Sequence, residues 1–249
     1  MNTDSIALEL YTVRDETARD FAGTLRRVAD MGYKAVEFAG YGGLSAEQQH
    51  ELLVETGLTA ASTHVGLDIL AHAPDDAIAY CTAIDCRYLV LPGLPNDHRN
   101  PDALRALAPR LDDLGRRCQE QGITFGYHNH DWEFAGHANG TALLDLLLDA
   151  TDPALVTLEL DAYWAAYADA DPVAYLQRRT GRVPLIHLKD MTPEQTFAEV
   201  GDGTLDIGAL IAAARVAGAR WYIVENDAPT IPSLESARRS LANLQAMAV

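Results

Sequence analysis

Basic residues are scarce in this chain: 19 lysines and arginines stand against 36 aspartates and glutamates, a formal net charge of −17 over 249 residues. Phosphate backbones and anionic bilayers are repelled by such a protein, which argues against nucleic acid and membranes as general partners. Cysteine is scarcer still. Cys81, Cys86 and Cys118 are odd in number and form no CxxC, so a disulfide framework and a thiolate zinc site are both excluded. They read as small buried hydrophobes of a reducing compartment. No run approaches the ~20 apolar residues that span a bilayer. The opening MNTDSIALEL lacks the basic n-region and apolar segment of a secretory signal, and the expected location is the cytoplasm. Also missing are a linker rich in Gly, Ser or Pro, a low-complexity tract, and a GxGxxG after the first strand-like run. One domain over residues 1–249, without a dinucleotide fold, is the expectation.

What is present alternates. Short β-branched or aromatic runs at 5–11, 34–40, 58–64, 87–93, 123–129, 155–161, 183–189 and 220–226 are separated by longer amphipathic segments rich in Ala, Leu and Arg. TARDFAGTLRRVADMG, stopped by Gly32, and SAEQQHELLVETG, with Ser45 as N-cap and Gln48 completing a capping box, read as helices. With 48% hydrophobic residues there is ample material for one core. Eight strand-then-helix units in this length match a single-domain α/β protein of the (β/α)8 barrel type.

Barrels of this kind carry their chemistry at the C-terminal ends of the strands. Tyr11, Thr12 and Arg14 follow the first strand, Glu37 and Tyr41 belong to the second, and His64 ends the third. The fourth ends in LPGLP, without a titratable group. The fifth supplies His128 and His130, the sixth Glu159 and Asp161, the seventh His187 and Lys189, the eighth Glu225, with Asn226 and Asp227 beyond. Residues two apart point the same way, so each pair converges on one pocket if that way is inward. A lone histidine at a strand end is more often structural than a ligand. Four consecutive strands ending in His, Asp or Glu instead call for a neutraliser, and one divalent cation is the economical choice. Imidazole and carboxylate without thiolate suit Mn²⁺, Mg²⁺, Co²⁺ or Zn²⁺ alike.

The segments GYHNHDWEF, ELDAYWAAYA, PLIHLKDM, VGDGTLDIGALIAAARVAG and WYIVENDAP, with LELYTVRD at the first strand, resemble the sugar phosphate isomerase/epimerase family of the xylose-isomerase-like barrels. The resemblance covers nearly the whole chain. It implies one metal held by Glu, Asp, His and Glu from strands five to eight. Asp161, His187 and Glu225 match the last three positions, whereas His128 stands where the first glutamate is expected. Either His128 binds directly or Glu133 reaches back.

A sugar that chelates the ion through a carbonyl and a neighbouring hydroxyl gains a more acidic adjacent C–H. His130 is the first candidate for the base, Glu133 the second. Lys189 either stabilises an oxyanion or donates a proton, or forms a salt bridge to Asp161 or Glu159. His64 is expected to line the pocket, Trp132, Tyr163 and Trp164 to stack on a sugar face or to pack. Glu37 and Arg14 either pair with each other or contact substrate hydroxyls. GDGTLD (201–206) lacks the Lys-Ser/Thr of a phosphate loop and reads as a turn before a helix N-cap. Three functions follow: a metal-dependent carbohydrate isomerase or epimerase; a keto-sugar dehydratase, lyase or glycoside-cleaving enzyme using the same deprotonation; and a non-catalytic sugar-binding barrel. The expected partner is a small carbohydrate, and a homo-oligomer is compatible with the sequence.

Overall fold

Apolar strands separated by helices bury both faces of a parallel sheet, and closing that sheet removes its edges. A computed structural model describes residues 5–247. Eight parallel strands close a barrel: β1 (Ile6–Glu9), β2 (Ala35–Phe38), β3 (Thr59–His64), β4 (Tyr88–Leu91), β5 (Thr124–His128), β6 (Val156–Asp161), β7 (Leu185–Leu188) and β8 (Trp221–Val224). Each strand pairs with its neighbours in sequence, and β8 returns to β1. Helices fill the crossovers. No helix among the described residues is long and apolar enough to cross a membrane.

Ser45 and Gln48 form the expected capping box on helix Ala46–Thr56, and Gly32 ends helix Phe21–Met31 with φ 109°. The segment read as one helix from residue 17 is interrupted instead. Its main helix begins at Phe21 because the Asp20 carboxylate accepts the Gly23 amide at 2.9 Å. On the long helix Pro101–Glu120, Gly115 packs against β6's entry so closely that a Cβ there would lie 2.3 Å from the Leu155 carbonyl oxygen. The absent side chain lets this helix seat against the strand that carries Asp161. Residues 201–206 form the expected turn. Its amides at Gly201, Gly203 and Leu205 are satisfied by the Asp190 carboxylate, and Asp206 caps the helix Ile207–Ala217.

Inside the barrel, Ala7, Ala35, Ala61, Val90, Leu185 and Ile223 form a separate buried cluster. Two residues further along four of these strands stand Glu9, Glu37, His187 and Glu225, so the apolar floor gives way to charge at the C-terminal end. Strand β3 needs a device to join this pattern. Ala35 pairs with Thr59, Val36 with Ala60, but Glu37 with Ser62, so Ala61 is an extra residue in the ladder. Strict alternation would turn His64 toward the helices. The bulge turns it inward.

Candidate active site

The interior of the C-terminal end is built from side chains that the barrel register places side by side. Glu9 pairs with Glu37, His128 with Glu159, and Asp161 with His187. One ligand atom from each of Asp161, His187 and Glu225 lies within 4.8 Å of the other two. His187 Nδ1 is 2.7 Å from Glu225 Oε2, and its other nitrogen, Nε2, is 2.6 Å from Glu37 Oε2. His128 repeats the arrangement: Nδ1 is 3.0 Å from Glu159 Oε2, while Nε2 faces Asp161 Oδ2 at 3.7 Å. Each imidazole therefore turns one nitrogen toward the Asp161–Glu225 end and anchors the other on a buried glutamate. A carboxylate behind an imidazole fixes its tautomer and orientation and makes it a better metal donor.

Charge balance points the same way. Glu9, Glu37, Glu159, Asp161 and Glu225 are buried, and Asp227 is partly so, yet Lys189 is the one permanent cation among them. Glu37 Oε1, Glu159 Oε1 and Glu9 Oε2 are buried without hydrogen-bond partners. Unpaired buried anions of this density require a cation or protons. The imidazole and carboxylate donors of His128, Asp161, His187 and Glu225 fit a divalent ion.

The histidines differ in protonation. Burial, reinforced by the positive charge of His187, His64 and Lys189, holds His128 well below the ordinary imidazole value, leaving it a neutral donor. Burial also opposes charge on His187 and His64, but the facing carboxylates of Glu159 and Glu37 overcome it and raise both. Burial lowers His130 to about 4, so it is neutral at physiological pH.

A cavity of about 260 Å³ opens above this layer, walled by His64, His128, His130, Lys189, Glu225 and Asp227, with Glu9 and Tyr11 on the β1 side. Lys189 is buried with Nζ 3.0 Å from Asp161 Oδ2, 2.8 Å from Glu225 Oε2 and 3.0 Å from Asp227 Oδ2. Of the two salt-bridge partners expected from sequence, it takes Asp161 and not Glu159. Trp164 lies over Nζ, at 5.6 Å from its ring centre, and 5.8 Å from His130.

Four candidates sit differently from the sequence expectation. Glu133 is buried with Oε1 accepting the Tyr127 hydroxyl at 2.6 Å and Oε2 the His130 amide at 2.8 Å. The helical turn Trp132–Ala135 swings it back onto its own strand, away from the Asp161–Glu225 cluster. Burial pushes its carboxyl up to about 8, which disfavours a basic role at neutral pH. Arg14 and Glu37 do not pair: Glu37 serves His187, and the Arg14 guanidinium donates to the carbonyls of Tyr11 and Asp227 at the rim. Trp132 lies beneath Arg99 and outside the cavity wall. Glu9 was not singled out from sequence. An acidic residue in a fully buried strand, in phase with inward Ala7, was the available signal.

The xylose isomerase-like TIM barrel family matches residues 25–247. A sugar phosphate isomerase/epimerase from Parabacteroides distasonis superposes with a TM-score of 0.85 at 26% identity, covering 99% of this chain and 95% of that one. A D-tagatose 3-epimerase-like protein, 15% identical, shares the fold with a TM-score of 0.73 over 98% and 97% of the two chains. Among curated proteins, an inosose dehydratase from Bacillus anthracis is 28% identical over 140 residues, 48% of this chain and 45% of the relative. One from Lacticaseibacillus casei is 29% identical over 147 residues, 51% and 48% of the two. The matched region thus spans about half the length of these curated relatives. A closed eight-stranded barrel with its acidic and imidazole groups gathered at one end agrees with the match over residues 25–247, and the chain belongs to the xylose isomerase-like TIM barrel family.

Proposed function

We propose that the chain is a metal-dependent carbohydrate isomerase or epimerase that removes a proton next to the carbonyl of a sugar or keto-sugar. The observation that carries this reading is the convergence of Asp161, His187 and Glu225 with a glutamate-backed His128 on the floor of a small polar cavity. Those four residues would hold one divalent ion. When bound, it supplies a Lewis acid that polarises the sugar carbonyl and stabilises the charge left by deprotonation.

The chain's own groups do the rest. His130, neutral and on the cavity wall, accepts the proton from carbon and returns it to the same or a neighbouring carbon. Glu133 holds the His130 amide and so positions the base. Lys189, pinned between three carboxylates under Trp164, presents a fixed positive charge to a developing oxyanion. Glu37 and Glu159 orient the two imidazoles. Glu37→Gln is therefore expected to weaken metal binding about 10–100-fold without unfolding the barrel, as calorimetric titration with Mn²⁺ or Co²⁺ would report.

The inosose dehydratase relatives favour a second reading, in which the same deprotonation is followed by loss of a β-hydroxyl. The two are separated by incubating the metal-loaded protein with keto- and aldo-sugars in D₂O. Deuterium entering the carbon beside the carbonyl with all hydroxyls retained supports isomerisation or epimerisation. An unsaturated product supports dehydration, and no exchange with any sugar refutes both.

A further inference from the structure

Beside the cavity lies a second space of about 360 Å³, lined by Tyr163, Trp164, Tyr167, Phe197, Ala228 and Thr230. Its rings are built into place. Tyr163 stacks on Phe197 with centroids 4.5 Å apart and meets Trp164 edge-on at 4.9 Å. The Tyr163 hydroxyl donates to the carbonyl of Gln195 at 2.9 Å, and Gln195, at φ 60°, makes the turn of the antiparallel ribbon that pairs Asp190–Met191 with Phe197–Ala198. Tyr167 also lines the cleft and is 40% exposed.

This cleft adjoins the reaction cavity. Trp164 stands between the two, close to both Lys189 and His130. Each remaining wall continues a cavity group: the ribbon follows Lys189 directly, and Ala228 follows Asp227. We propose that the cleft is a subsite for the flat, apolar aglycone of a keto-sugar glycoside, which keeps a carbonyl on its ring, with that ring in the cavity over His128 and His130. The proposal rests on the carbohydrate reading of that cavity.

The lining selects this occupant. It contains no carboxylate, ammonium or guanidinium, and its polar groups are Gln195, Thr196, Thr230 and the tyrosine hydroxyls. A second sugar ring would leave several hydroxyls without acceptors, and a charged extension would find no counter-ion. An aromatic ring needs neither and stacks on the fixed faces.

The test compares phenyl β-glucoside, methyl β-glucoside, cellobiose and phenol by calorimetry and tryptophan fluorescence, in the wild type, Tyr167→Ala and Phe197→Ala. The expected result is phenyl glucoside binding about tenfold more tightly than methyl glucoside, as one additional stacked ring provides. In both variants that preference should fall to within about twofold, with methyl glucoside unchanged. Equal affinities in the wild type, a preference that survives in Tyr167→Ala, or tighter binding of cellobiose than of phenyl glucoside overturns the subsite. If neither glucoside nor cellobiose binds, the carbohydrate reading of the cavity fails. The subsite then stands on phenol: binding to wild type and not to Tyr167→Ala upholds it, and no binding overturns it.

Discussion

Asp161→Ala is expected to bring bound metal from about one ion per chain to below a tenth, and to lower turnover at least about 10³-fold. Lewis-acid polarisation is worth several kcal/mol, and each 1.4 kcal/mol is a factor of ten. Asp161 also has structural work. Its Oδ1 accepts the Trp164 amide at 3.0 Å, capping helix Ala162–Tyr167, and its Oδ2 faces Lys189. Losing a cap costs about 1 kcal/mol, so the melting temperature should fall by a few degrees while the circular dichroism of the barrel is kept. Asp161→Asn separates these roles, because the amide oxygen keeps the cap but removes the charge. Both variants should lose the ion; metal analysis showing unchanged stoichiometry in the two would overturn the ligand assignment.

His130→Ala should give the complementary result. Metal content and fold remain, while exchange of deuterium beside the carbonyl falls about 10²–10⁴-fold, the usual contribution of a positioned general base. The pH profile carries the sign. Burial lowers His130 to about 4, and a charged imidazole cannot accept a proton. For the wild type, kcat/KM should rise as pH climbs through about 4 and level off about two units higher; in His130→Ala that limb should vanish. His128→Ala is expected to lose metal and activity together, whereas Glu133→Gln should keep its metal, since both Glu133 oxygens serve Tyr127 and the His130 amide. Metal lost from Glu133→Gln and retained in His128→Ala would reverse the two assignments.

The eight strands were legible because buried parallel strands read as short apolar runs between helical periods, and all eight appear, shorter than read by one to three residues. The ends were overextended where a polar side chain redirects the backbone. After Glu9, for instance, the carboxylate accepts the Tyr11 amide and the chain enters a 3₁₀ turn over Leu10–Val13. Convergence of 128, 161 and 187 followed from parity once their strands point those residues inward, and 225 joined them as the end of the eighth strand and by the family resemblance. Contacts across the barrel did not, because they depend on which strand faces which at what height. Thus Arg14 and Glu37, both near the mouth in sequence terms, occupy different levels, and Lys189 meets Glu225 and Asp227 from β8 and beyond it rather than Glu159 from β6. Glu133 escaped for a local reason: a single helical turn reverses its direction, which spacing counted along an extended strand does not register.

The bulge at Ala61 makes the site depend on counting as well as on chemistry. His64 reaches Glu159 at 2.7 Å because Ser62, just past the bulge, meets Glu37 and sets the phase of the strand beyond it. Deleting Ala61 alone would keep that phase, because Ser62 would follow Ala60 and still meet Glu37, with His64 facing inward as before. Adding or removing one residue between Ser62 and His64 would instead exchange the histidine with the layer that faces the helices. For this strand, length beyond the bulge is therefore heritable information in its own right: a variant that keeps the histidine but miscounts that stretch by one would retain the letter in the sequence and forfeit the side chain in the site.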